Sequence, residues 1–105
     1  MPACAKNGSK CSGHGGFNSR ANDPGSCSTT VFVNGEGILR KDDTYPTHSS
    51  GTSNHTSKIE AGSSTVKADT NRDVARIGDR LIKLAGNSDC QSSIAQGSGN
   101  VFVGG

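Results

Sequence analysis

Ser28-Thr29-Thr30-Val31-Phe32-Val33 decides how the chain is read, because its pattern returns at a fixed interval. Moving 35 residues on from Thr30-Val31 reaches Thr65-Val66, inside Ser63-Ser64-Thr65-Val66, and another 35 reaches Ser98-Gly99-Asn100-Val101. Ile59 and Ile94 keep the same spacing, as do Gly62 and Gly97. A chain of 105 residues is then three passes of one unit. The fold question becomes how three like units close on one another.

Each unit carries two recurring pieces. The first is a strand signal at Thr30 to Val33, Thr65 to Ala68 and Asn100 to Val103. The alternation in Val31-Phe32-Val33 and Val101-Phe102-Val103 predicts that both valines of a pair share one face. Asn34-Gly35 follows the first run and marks a hairpin turn, since both residues tolerate positive φ. The second piece is a small-basic-x-Gly-acidic signature. It is clear in Ala75-Arg76-Ile77-Gly78-Asp79, recognisable in Leu39-Arg40-Lys41-Asp42-Asp43, and degenerate in Ala5-Lys6-Asn7-Gly8-Ser9. It reads as a strand end entering a tight turn. Between the pieces lie stretches rich in Gly, Ser and Asn at 10–27, 44–57 and 80–93, which read as loops. A competing pattern places Val74, Ile77, Leu81 and Leu84 at helical spacing over 73–85, with Gly78 costing such a helix about 1 kcal/mol.

Composition narrows the class. Only 30% of residues are hydrophobic, aromatics are 4%, and 15 are Gly, so the chain has little with which to build a thick core. It is read as one all-β domain spanning 1–105, of a size and poverty of core that call for a metal, disulfides or a partner subunit. The net charge of +2 is spread without a basic run, which gives no support to a nucleic-acid partner or an anionic membrane surface. No apolar stretch near the N-terminus has signal-peptide length, so synthesis in the cytoplasm is the expectation. In that compartment the four Cys are read as free or metal-bound, with a Cys11–Cys27 bridge conceivable.

The chemistry lies in the three His and one late Cys. His14 lies five residues after Ser9 and His48 five after Asp43. His55 follows in the same stretch, and Cys90 lies in the stretch after Asp79. If three units surround a common axis, these positions converge. Three imidazoles and one thiolate then form a complete tetrahedral set for zinc, with iron as second choice. A closed set leaves no open position for water and is structural in kind. Cys4, Cys11 and Cys27 are left over as small buried thiols. A Cys/His-dependent hydrolase is the weaker alternative, since no nucleophile elbow appears. Gly13-His14-Gly15-Gly16 lacks the Lys and following helix of a phosphate loop. A small zinc-binding interaction module is the other alternative.

Taken in order, the residues resemble the PAAR-repeat family, proteins that cap contractile injection machines. The resemblance runs through Cys11-Ser12-Gly13-His14-Gly15, then Gly25-Ser26 leading to Thr30-Val31-Phe32-Val33-Asn34-Gly35. Ile38-Leu39-Arg40-Lys41-Asp42-Asp43 and Tyr45-Pro46-Thr47-His48 carry it on. His55, Ala61-Gly62-Ser63-Ser64-Thr65-Val66, Val74-Ala75-Arg76-Ile77-Gly78-Asp79, Asp89-Cys90 and the run Ile94 to Val103 complete it. It departs from the family at Asp42, where Gly is usual, and at Lys67-Ala68-Asp69-Thr70. The resemblance implies a cone of short strands in three faces, with His14, His48, His55 and Cys90 holding zinc near the vertex. It implies no enzyme activity, but a structural tip whose base caps a trimeric β-helical spike, one chain per trimer. Such a tip, on a phage tail or secretion spike, meets a target membrane only transiently.

Overall fold

The computed structural model describes residues 2–50, 53–84 and 89–104, without the side chains of Ser50, Ser53 and Asp89. Every regular element among them is a strand. These are β1 (Phe32–Val33), β2 (Glu36–Gly37), β3 (Thr44–Ser50), β4 (Ser53–Ile59), β5 (Lys67–Ala68), β6 (Arg72–Asp73), β7 (Arg80–Lys83) and β8 (Asp89–Ser93). β3, β4, β7 and β8 form one antiparallel sheet in that order. β1–β2 and β5–β6 are two-stranded hairpins. The extents are 37 × 25 × 24 Å, one long axis and two nearly equal short ones.

Polar turn chemistry, repeated along the chain, sets the local geometry. Ser28 Oγ accepts the backbone N–H of Thr30 and Val31, at 3.1 and 2.8 Å. Ser63 does the same for Thr65 and Val66, and Ser98 for Asn100 and Val101. The basic-acidic signature is a turn in which Asp43 Oδ2 accepts the N–H of Arg40 while its carboxylate pairs with the guanidinium. Asp79 and Arg76 repeat this, and Ser9 Oγ accepts the N–H of Lys6. Asp42 sits in that turn at φ +73, where Gly8 and Gly78 both have +94. A left-handed Asp is tolerated through its short polar side chain.

Backbone pairing then ties distant parts together in circuits. Ala5 N–H donates to Ala75 C=O at 3.0 Å, Ala75 N–H to Leu39 C=O at 2.9 Å, and Leu39 N–H to Ala5 C=O at 3.1 Å. The ring closes on itself, and all three residues are fully buried. One residue upstream, Cys4, Ile38 and Val74 donate to Val101, Val31 and Val66. Satisfying buried amides within such rings removes the free edges that short strands otherwise expose.

The core is thin and in two parts. Ala5, Cys11, Leu39, Tyr45, Ile59, Ala75, Leu81, Cys90 and Ile94 form one cluster. Cys4, Val33, Ile38, Ala68, Val74 and Val103 form the other. Tyr45 reaches a polar partner from the first, its hydroxyl donating to Ser9 C=O at 2.7 Å. Close approach shapes both. A Cβ on Gly62 would lie 2.3 Å from Val74 O, and one on Gly97 would lie 2.7 Å from Cys4 O. The matching position 35 residues before Gly62 is Cys27, a side chain accommodated because its neighbour is Gly37.

Several expectations are corrected here. Stretches 44–57 and 80–93 are mainly strand rather than loop, apart from 51–52 and 85–88, which lie outside the described residues. No helix occupies 73–84. Val74 bridges Arg40, Gly78 turns the chain at positive φ, and Leu81 and Ile82 lie in β7. The paired valines separate: Val33 and Val103 are buried, while Val31 and Val101 are exposed because Ser28 and Ser98 turn the backbone just before them. Cys11 and Cys27 form no bridge, and all four Cys are free thiols.

Candidate metal centre

The four-stranded sheet delivers three of the four candidate ligands to one end of its strands. His48 on β3 and His55 on β4 face each other as a cross-strand pair. A bulge between Tyr45 and His48 lets both residues point inward although two residues, Pro46 and Thr47, lie between them, where strict alternation would place them on opposite faces. Cys90 lies on β8, fully buried. The fourth, His14, lies in a short bridge with Phe17, on a segment tied to β8 by Ser12 N–H donating to Ser93 C=O. The ligand atoms of all four lie within 4.8 Å of one another.

Individual distances fit a cation at the centre. His14 and His55 Nε2 are 3.3 Å apart, and Cys90 Sγ is 3.2, 3.7 and 3.8 Å from Nε2 of His55, His14 and His48. A tetrahedron with ordinary Zn–N and Zn–S bonds has edges of about 3.3 Å between nitrogens and about 3.6 Å from nitrogen to sulfur. The His48–His55 edge is tighter, at 2.7 Å, and the widest separation in the group, 4.8 Å, is looser. His55 Nε2 thus has three close ligand-type neighbours, yet a neutral imidazole nitrogen offers a single hydrogen or a single lone pair. A shared metal ion would satisfy all four atoms at once.

The surroundings prepare the donors. His48 Nδ1–H donates to Asn18 C=O at 3.0 Å, which fixes the tautomer and turns the Nε2 lone pair inward. Burial lowers the pKa of His48, with the Arg20 and His14 charges adding to it. Burial, then the charges of His48 and Lys83, pushes His55 down to about 4. Neutral imidazoles at neutral pH are what a metal requires. Ser57 Oγ donates to Cys90 Sγ at 3.1 Å and accepts from Arg20 Nη2 at 2.8 Å. Arg20, itself buried, also donates from Nη1 to Cys11 Sγ at 3.0 Å and from Nε to Pro46 C=O. Burial acts to raise the Cys11 thiol, but bonds from Ser92 and the backbone, with the Arg20 charge, leave it below its usual value. Cys4, buried without such help, is pushed up to about 11.

All four residues picked from sequence come together, and Cys4, Cys11 and Cys27 stay outside the group. Arg20, Ser57 and Phe17 were missed. A signal for Ser57 was present: His55-x-Ser57-x-Ile59 and Cys90-x-Ser92-x-Ile94 alternate identically, 35 residues apart. That is the inward face of a strand. Comparison with known proteins brings no relative: the chain matches no family model and no curated protein. Fold and site by themselves define a class, a small all-β protein with a three-His, one-Cys group able to hold a metal ion.

Proposed function

We propose that the chain is a zinc-stiffened tip that caps a trimeric β-helical spike, as its resemblance to the PAAR-repeat family implies. In this reading it is a three-faced cone with pseudo-threefold internal repeats and the metal near the vertex. The observation that carries the reading is the set Val31, Val66 and Val101, spaced by 35 residues, each exposed and each presented by the same two-bond serine turn. Beside them Phe32 and Phe102 are 59% and 52% exposed. Following the chain from Ile38 through Leu39 and Tyr45 leads from this apolar set to His48 and the metal group. A trimeric β-helix ends in three strand edges around an apolar axis, and a single chain with three matching corners covers all of them at once.

Zinc suits the donors better than iron, because three imidazoles and one thiolate complete a borderline-soft tetrahedron. The closed set supports a structural role and not catalysis. The metal stiffens an end too thin to hold a core, so that it withstands transient contact with a target membrane. Nucleic acid is not the partner in this reading. Arg40, Arg72, Arg76, Arg80 and Lys67 are each paired with Asp or Glu and Arg20 is buried, so the arginines that would grip phosphates are already engaged. The chain is made in the cytoplasm and joins the spike of a phage tail or secretion machine. Mixing the purified chain with a candidate trimeric spike and weighing the complex by native mass spectrometry tests the proposal. One copy per trimer is expected, lost when Val31, Val66 and Val101 become Asp; wild-type chain that leaves every such spike uncapped refutes it.

A further inference from the structure

The segment Gly13-His14-Gly15-Gly16-Phe17 does more than deliver a ligand. His14 N–H donates to Phe17 C=O at 2.9 Å and Phe17 N–H donates to His14 C=O at 2.7 Å, closing a tight two-residue loop. Gly15 turns it at φ +51. Gly13 lets it fold back, since a Cβ there would lie 2.7 Å from Phe17 O and 2.8 Å from Ser19 N. The loop sets the Phe17 ring against all three imidazoles. Its centroid is 4.5 Å from His14, nearly parallel at 28°, and 4.8 and 4.7 Å from His48 and His55, each at 43°. Among the described residues no other ring is in contact with all three. The next residue, Asn18, supplies the carbonyl that fixes the His48 tautomer.

We infer that Phe17 is the positioning residue of the metal centre: it clamps the three imidazoles in ligating orientation and keeps water off the ion. The inference rests on the metal-centre reading and is independent of spike capping. Near-equal contact with three rings has a specific consequence. Rotation of any one imidazole toward Phe17 would strike its ring, which closes one route by which each ligand could swing off the ion. Water approaching between the rings meets an apolar face instead of a gap. Among the described residues the ring contacts of Phe17 are with His14, His48 and His55, and it acts through them. Outer residues of this kind typically change metal affinity by about 10- to 100-fold when removed.

The test uses the full chain with Zn(II) alone and Co(II) alone. Wild type, Phe17→Ala and Phe17→Leu are loaded with each metal and challenged with a chromophoric chelator. Wild type is expected to hold about one equivalent and release it slowly, with the intense visible bands of tetrahedral cobalt. Phe17→Ala is expected to take up the same amount, release it about 10- to 100-fold faster, and show weakened bands as water joins the cobalt. Phe17→Leu, which keeps an apolar cover, is expected to recover part of the release rate and band intensity. Wild-type release rate and spectrum in Phe17→Ala would overturn the inference. So would failure of both variants to fold at saturating metal, which would make Phe17 a packing residue only. Wild type that takes up no metal overturns the metal-centre reading and this inference with it, whereas a chain that binds metal but caps no spike leaves it standing.

Discussion

Buffering free zinc should move the thermal unfolding midpoint of this protein by about 6 °C for every tenfold change in concentration. The size follows from the thinness of the fold. At 105 residues its total stability falls at about 5–15 kcal/mol, while a structural zinc contributes an apparent ~10 kcal/mol or more. The ion therefore accounts for most or all of the net stability. Where zinc exceeds its dissociation constant and the unfolded chain holds none, each tenfold rise adds about 1.4 kcal/mol. Unfolding entropy of ~2.1 cal/mol/K per residue gives about 0.22 kcal/mol/K for the chain, and the ratio is the stated shift. Circular dichroism melts in chelator-buffered zinc over about three decades measure it, and Cys90→Ser should flatten the dependence. Excess chelator should leave a chain largely unfolded at 37 °C, because His48 and Cys90 stay buried with nothing to coordinate. A midpoint indifferent to free zinc would refute the assignment of the four residues as a structural metal site.

Three further outcomes are expected. Ser28→Ala, Ser63→Ala and Ser98→Ala each leave two turn amides without their acceptor, so each should cost about 1–3 kcal/mol in urea unfolding. Three similar values would show that the turns are equivalent. Arg20→Lys should fail to replace Arg, because Nε, Nη1 and Nη2 serve three different partners. Arg20→Ala should cost about 3 kcal/mol, and Ser57→Ala should weaken metal binding about 10-fold by titration calorimetry. Acid should release the metal and destabilise the fold together. His48 and His55 are held below the usual 6.5, His55 at about 4, so the folded state binds fewer protons than the unfolded one. Stability should be full above about pH 6.5 and fall as pH drops toward about 4, followed by circular dichroism and a zinc indicator.

Legibility in the sequence followed what each residue type reveals on its own. The all-β class could be read because Thr30-Val31-Phe32-Val33 and its later counterparts are β-branched and bounded by turn residues. The ligands could be read because three His and a late Cys are rare in so polar a chain. The strands that carry them could not. Thr44 to Ser50 and Ser53 to Ile59 are rich in Ser and Thr, and their inward residues are Tyr45, His48, His55 and Ser57, with Ile59 at the end of β4 as the one aliphatic among the described side chains. Hydrophobic alternation is silent when the interior is a cluster of His, Cys and Ser able to hold a metal. The helical spacing of Val74, Ile77, Leu81 and Leu84 misled for a related reason. Val74 and Leu81 enter different clusters, whereas Ile77 and Leu84 face outward, so the spacing reflects a turn between two strands. Phe17 was hidden because its partners are set by a glycine loop that only space reveals.

The circuit joining Ala5, Leu39 and Ala75 also dictates how the protein must be born. Cys4 waits for Val101 and Ala3 for Phe102, so a chain emerging from the ribosome cannot latch these residues until the segment that pairs with them, far along the sequence, has followed. Folding of this kind is late, non-local and slow, with sticky valines on show in the meantime. Once latched, the ring makes each of its three distant segments depend on the other two.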